Sequence, residues 1–165
     1  MVGALTRLQM IVLLLIATVV IAMSFGPVPA IVGPPLLDFI FNGEAARARL
    51  AELSTYQRQV HLYGTLINDT LFPLAYSGLL AGVAGRFASL RWRGWVMLPA
   101  LAACVLDLCE NAVQVLALSG TVDLLDLKTV LTPLKFGMAG VAIVLAIGLL
   151  GMGIVRRLSG RAVAP

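Results

Sequence analysis

The sequence predicts an all-α integral membrane protein: a four-helix up-down bundle with a short amphipathic helix in its first outer loop. Three observations predict it. Hydrophobic residues make up 60% of the 165 residues and charged residues 12%, against ~45–50% and ~25% in a soluble domain. Four stretches are each long enough to cross a hydrocarbon core of ~30 Å at ~1.5 Å per residue. The basic residues gather at alternate connections between those stretches. A soluble enzyme, a disordered tail and a secreted disulfide scaffold are excluded, because none of them can carry so much apolar surface in water.

The first span covers about 8–25, preceded by Arg7. A signal peptide ending near Val28-Pro29-Ala30 is the competing reading. The apolar run exceeds a typical signal core, and prolines flank Val28, so an uncleaved span is expected. The outer loop, 26–59, opens with Gly26-Pro27-Val28-Pro29 and Gly33-Pro34-Pro35, which argue against a regular helix there. Glu44 to Leu53 then reads as a short helix with Ala46, Leu50 and Leu53 on one face. Its balanced charges favour capping the bundle over lying along the membrane. Ser54 and Gln57 have capping-box spacing and start the next helix before the boundary.

The second span, about 60–85, is polar in its first half, with His61, Thr65, Asn68, Asp69 and Thr70. The third covers about 95–118 and the fourth about 129–155, joined by short loops that make consecutive helices antiparallel neighbours. The chain reads as a single transmembrane domain over 1–165. Arg7, Arg86, Arg91, Arg93, Arg156, Arg157 and Arg161 fall on one side of such a bundle. Arg47, Arg49, Arg58 and Lys128 fall on the other, diluted by Asp38, Glu44, Glu52, Asp123 and Asp126. The positive-inside rule then puts both termini in the cytoplasm, with a bacterial inner membrane as the expected compartment. Trp92 and Trp95 flank that inner boundary. The net charge of +4 is accounted for by topology, and no nucleic-acid partner is expected.

Cys104 and Cys109 lie on different faces of the third span, where they cannot bridge; they read as buried small hydrophobes. No spacing of metal ligands is present, so no metal or cofactor is expected. Gly78, Gly82 and Gly85 in span two, and Gly137, Gly140, Gly148 and Gly151 in span four, read as surfaces for close packing between these two spans. A homodimer is the competing use of the Gly78-x-x-x-Gly82 pattern.

The chemistry concentrates in span three. Asp107, Glu110, Asn111 and Gln114 are spaced i, i+3, i+4, i+7 on an otherwise apolar helix, a polar stripe down one face. Counting from Trp95, Asp107 lies about 18 Å from the inner boundary. His61, Thr65, Asn68, Phe72 and Tyr76 make a matching face on span two, with Asp69 beside it. Pro73 lacks the N–H that would bond the Asp69 carbonyl, so a kink there exposes an extra acceptor. Span four brings Lys135, after Thr132-Pro133, which reads either as a helix start or as a second kink. His61, beside Tyr63, reads as an interfacial ring anchor, and Asp123 and Asp126 read as helix caps.

Charged groups facing lipid cost ~2.5–3.5 kcal/mol each even on the lenient insertion scale. Asp69, Asp107, Glu110 and Lys135 are therefore expected to face one another or a water-filled cavity, with one lysine for three acids. The candidate ligand- or proton-binding residues are Asp69, Asp107, Glu110, Asn111, Gln114, Lys135, Asn68 and Tyr76. Helix-gluing polar contacts are the competing structural use of the same residues.

The pieces Asp69-Thr70-x-Phe72-Pro73-Leu74-x-Tyr76 and Asp107-x-x-Glu110-Asn111 resemble a group of uncharacterised small bacterial membrane proteins with four spans. The resemblance covers most of the chain, implies the same bundle, and carries no activity. At the level of fold alone the chain is similar to emopamil-binding and sterol-isomerase-like proteins, small bundles with intramembrane acids. Three functions compete: a module binding or transporting a lipid-like or cationic molecule in an outward-facing pocket, an accessory or assembly subunit of a larger membrane complex, and a small isomerase using acid and base carboxylates. The direction in which the stripe faces separates the first from the second.

Overall fold

A computed structural model describes residues 2–160, so Arg161 lies outside the described residues. The chain is all-α, with four long apolar helices packed as a bundle and a short helix over one end. A short α1 (Val2–Leu5) leads into α2 (Leu8–Ser24), and α3 (Pro27–Val32) follows. A 3₁₀ turn (Leu37–Phe39) and α4 (Gly43–Glu52) complete the long connection. The other long helices are α5 (Thr55–Phe87), α6 (Arg93–Ser119) and α7 (Lys128–Leu158), the last preceded by a second 3₁₀ turn (Leu125–Leu127). The end carrying α4 and the 3₁₀ turns is called the loop end below; the other is the arginine end.

The helix α5 is the axle of the bundle. At 33 residues it is about 50 Å long, well beyond a ~30 Å core. It starts where the sequence places it: Ser54 Oγ accepts from the Gln57 N–H while the Gln57 side chain accepts from the Ser54 N–H, a complete capping box. It packs against α2, α6 and α7, and α6 packs against α7. By contrast α2 rests mainly on α5 and buries only Ile11. The two outermost helices, α2 and α7, do not pack closely against each other. A crevice between them is the result.

The proline-rich stretch departs from the sequence reading. Pro27 is the first residue of α3 and Pro29 lies in its first turn, where N–H groups have no partner inside a helix in any case. A short helix therefore forms, and Gly33, at φ 76°, ends it. Arg49 holds the following bend by donating to the carbonyls of Val32, Gly33 and Pro35 at 2.8–3.1 Å. Val32, Leu37 and Ala46 of this connection, together with Leu125 of the second 3₁₀ turn, form a buried cluster over the loop end with Val113, Ala117 and Leu118 of α6. Arg47 on α4 reaches Asp123 at 2.5 Å and Asp126 at 2.7 Å. The cap reading of α4 thus finds its contacts, while Asp126 serves as an ion-pair partner. Asp123 does both, accepting also from the Leu125 N–H. The guanidinium holds the Asp123 carboxyl below its usual range.

Gly78 and Gly82 of α5 pack against the first span and α1, and not against span four as their spacing predicts. A Cβ at Gly82 would stand 2.7 Å from the carbonyl oxygen of Leu5, and one at Gly78 would meet Leu14 at 3.2 Å. Gly137, Gly140, Gly148 and Gly151 face open space among the described residues. Cys109 is exposed on the bundle surface and Cys104 half-buried, so burial accounts for neither fully.

Candidate functional site

The stripe of α6 faces inward. Glu110, Asn111 and Gln114 are buried, and Asp107 is nearly so, with 13% of its side chain exposed. Two tiers of polar groups result. The deeper tier centres on Glu110, whose Oε1 accepts from Lys128 Nζ and, at 2.7 Å, from Thr132 Oγ1. Its Oε2 lies 2.6 Å from Lys135 Nζ. Gln114 Nε2 donates to Asp38 at 3.1 Å and lies 3.5 Å from Glu110. Glu110 and Lys128 are fully buried, so their charges neutralise each other out of reach of solvent.

The second tier borders a cavity of about 960 Å³ in the crevice between α2 and α7. Its acids are Asp38, Asp69 and Asp107, and its one ammonium is Lys135. Lys135 donates to Asp107 Oδ1 at 3.2 Å, and Tyr76 donates to Asp107 Oδ2 at 3.2 Å. Among the described residues Asp69 forms no ion pair. With all four groups ionised, the lining carries two negative charges in excess. Aromatic rings flank it: Phe25 meets Phe72 edge-on at 5.7 Å, and Phe72 meets Tyr76 at 5.2 Å. Across the crevice, Phe39 stacks near Phe136 at 6.4 Å, with Lys135 Nζ 5.0 Å from the Phe136 ring centre. Below the acids the walls become aliphatic, with Leu79, Leu80, Ala139 and Ile143. The loop residues Pro34 to Leu36 form the roof.

Sequence spacing and backbone chemistry explain much of this placement. Pro73 lies inside α5, and the carbonyl it leaves free, that of Asp69, accepts from Asn111 Nδ2. The polar stripe of α6 is thereby docked to the kink in α5. Pro133 likewise lies inside α7, so Thr132 does not start a helix. Its hydroxyl turns to Glu110 instead.

Of the expected site residues, Asp69, Asp107, Tyr76 and Lys135 come together on the cavity, and Glu110, Asn111 and Gln114 lie behind them. Asn68 is separate: its amide donates to Ser24 Oγ of α2 at 3.0 Å. Three participants escape the sequence reading. Lys128, assigned there to the outer loop, is buried; its spacing to Thr132 and Lys135 (i, i+4, i+7) is the signal that puts all three on one face. Asp38 enters from the 3₁₀ turn Leu37–Phe39, which is too short to carry a periodicity. His61, expected at the interface, is buried, and its Nε2 accepts from the Leu37 N–H at 3.1 Å, pinning the roof to α5. Among the described residues, no group of three or more His, Cys, Asp and Glu is placed to share a metal ion.

Neither a known family model, nor a curated protein, nor a solved structure matches the chain.

Proposed function

We propose that this membrane protein binds or transports an amphiphile with a cationic head group, which enters sideways from the bilayer through the crevice between α2 and α7. One observation carries the reading: three carboxylates against a single ammonium line a cavity that continues into an aliphatic slot. Excess negative charge at membrane depth is stabilised by a cation. The flanking rings of Phe25, Phe72, Tyr76, Phe39 and Phe136 add faces that attract ammonium groups. The slot offers apolar surface to a hydrocarbon tail. The inward direction of Glu110, Asn111 and Gln114 weighs against the accessory-subunit reading, which needs those residues turned toward a partner. By the positive-inside rule the cavity opens in the half of the membrane away from the cytoplasm.

The test uses purified protein in neutral detergent and two fluorescent probes of equal chain length, one headed by trimethylammonium and one by sulfate. The cationic probe should bind and the anionic one should not. Asp69→Asn and Asp107→Asn should each weaken cationic binding by roughly tenfold or more, corresponding to ~1.4 kcal/mol per decade. Equal binding of both probes, or unchanged affinity in both variants, would remove the basis for this function.

A further inference from the structure

A second concavity lies at the arginine end, on the opposite side of the molecule from the acids. It measures about 550 Å³ and is lined by Arg86, Arg93, Arg156 and Arg157, with Ser89 and Phe87 among its other walls. The four arginines come from the ends of three helices: the last turn of α5, the first of α6 and the last of α7. Among the described residues no carboxylate lines this cavity, and none of the four arginines forms an ion pair.

We propose that this cavity binds the head group of an anionic lipid carrying at least two phosphate charges. Topology alone requires arginines at this end of the bundle. It does not require that they converge on one cavity, and Arg91 does not: it lies outside the lining, over the Trp92 ring at 5.4 Å. Two of the four are fixed in place. Arg86 Nη1 donates to the Thr6 carbonyl at 3.0 Å and Arg93 Nε to the Gly85 carbonyl at 2.9 Å. A guanidinium has five N–H donors, so each keeps several for a ligand. Arg156 and Arg157 are exposed and complete the rim from α7. Planar, forked guanidinium groups match phosphate oxygens in pairs. Four unneutralised positive charges around one hollow repel one another, and a head group with two or more negative charges relieves more of that repulsion than a singly charged one.

A lipid is favoured over a soluble phosphate by depth and by the rest of the lining. Trp92 and Trp95, exposed at the same end, sit where indole rings prefer the membrane interface. Phe87 and exposed Leu90 give the cavity an apolar side for the start of the acyl chains. Gly153 makes the Phe87 wall, since any Cβ there would collide with the ring. Basic hollows between helix ends on this side of a membrane are suited to doubly charged lipid phosphates.

The experiment is lipid retention by native mass spectrometry of the full chain. The protein is offered an equimolar mixture of phosphatidylcholine, phosphatidylglycerol and cardiolipin. Cardiolipin should be retained first, phosphatidylglycerol weakly and phosphatidylcholine least. The double variant Arg156→Gln, Arg157→Gln should lose about thirtyfold in cardiolipin affinity, at ~1 kcal/mol for each arginine near an anionic surface. Arg91→Gln removes one charge from the same end outside the cavity and should change affinity less than about threefold. Because Arg156 and Arg157 are exposed, the variant should melt with the wild type, which circular dichroism checks. Equal losses per charge in the two variants, or no preference for cardiolipin, would overturn the site. Displacement of the lipid by an equal concentration of inorganic pyrophosphate would also overturn it, since the cavity would then read phosphate alone. This site shares no residue with the acidic crevice, so either assignment can fail without the other.

Discussion

Glu110 is the residue on which the buried charges converge, and removing it should cost more than removing either lysine. Substitution by leucine leaves Lys135 with Asp107 at 3.2 Å, but it leaves Lys128, fully buried, with no acceptor. Breaking a buried pair by deleting one partner costs ~3–5 kcal/mol. Lys128→Met is milder, because Glu110 keeps Lys135 at 2.6 Å and the Thr132 hydroxyl at 2.7 Å; a lost hydrogen bond to a charged group is ~1.5–3 kcal/mol. The double variant Glu110→Leu, Lys128→Met replaces both charges by apolar side chains, which is often neutral in a buried site. It should therefore be more stable than Glu110→Leu alone. Reversible unfolding in mixed dodecylmaltoside and dodecylsulfate micelles, followed by circular dichroism, measures all three. Glu110→Leu costing less than Lys128→Met would contradict the convergence of the buried charges on Glu110, as would strictly additive losses. Either result would mean that Lys128 reaches water by snorkelling from the start of α7.

Three further outcomes follow from the packing. Asn111→Leu should destabilise by ~1–3 kcal/mol by leaving the Asp69 carbonyl without a donor; in a Pro73→Ala background the restored N–H should shrink that loss, which a double-mutant cycle in the same micelles reads directly. Gly82→Val should destabilise by ~1–3 kcal/mol through its contact with the Leu5 carbonyl, while Gly140→Val, with open space around it, should be close to neutral in a melting assay. The hold of Arg47 on Asp123 should be lost as pH falls: the folded carboxyl is depressed, so its stabilisation is present above the usual carboxylate range and vanishes as pH drops through the lowered folded value. Hydrogen exchange of residues 43–52 should speed up under those conditions, and also in high salt, since the pair is exposed.

The architecture was legible because a bilayer leaves few alternatives. Sixty per cent apolar residues and four long runs dictate helices whose backbone bonds close internally. The stripe itself was legible for the same reason, since Asp107, Glu110, Asn111 and Gln114 share one face that lipid disfavours; its inward direction was not, because a partner helix could cover the same face. Pro73 carried the most specific information, since its missing N–H identifies the Asp69 carbonyl as an acceptor awaiting a donor, and Asn111 supplies one. What stayed hidden depends on chain segments without a period. Asp38 and Leu37 reach the site on a short 3₁₀ turn, and His61 is buried only because that turn returns over it. The partner of the α5 glycines was hidden too, because a small-residue face states that something approaches closely without stating what.

The two tiers of charge have different consequences for the proposed ligand. Lys135 belongs to both, with Asp107 at 3.2 Å in the cavity and Glu110 at 2.6 Å behind it. A cation arriving at Asp107 competes with Lys135, which can turn fully to Glu110 without losing a charged partner. Lys128 has no such choice, since its carboxylate is already enclosed. On the proposed reading the deeper tier would supply a retreat for Lys135, and Asp69, which forms no ion pair among the described residues, would be open to the incoming cation. Lys135→Met should accordingly strengthen binding of the trimethylammonium probe, because it removes the competing ammonium from Asp107. Weaker binding in that variant, in protein that still melts as a folded species, would show that the cavity selects by a feature other than its excess negative charge.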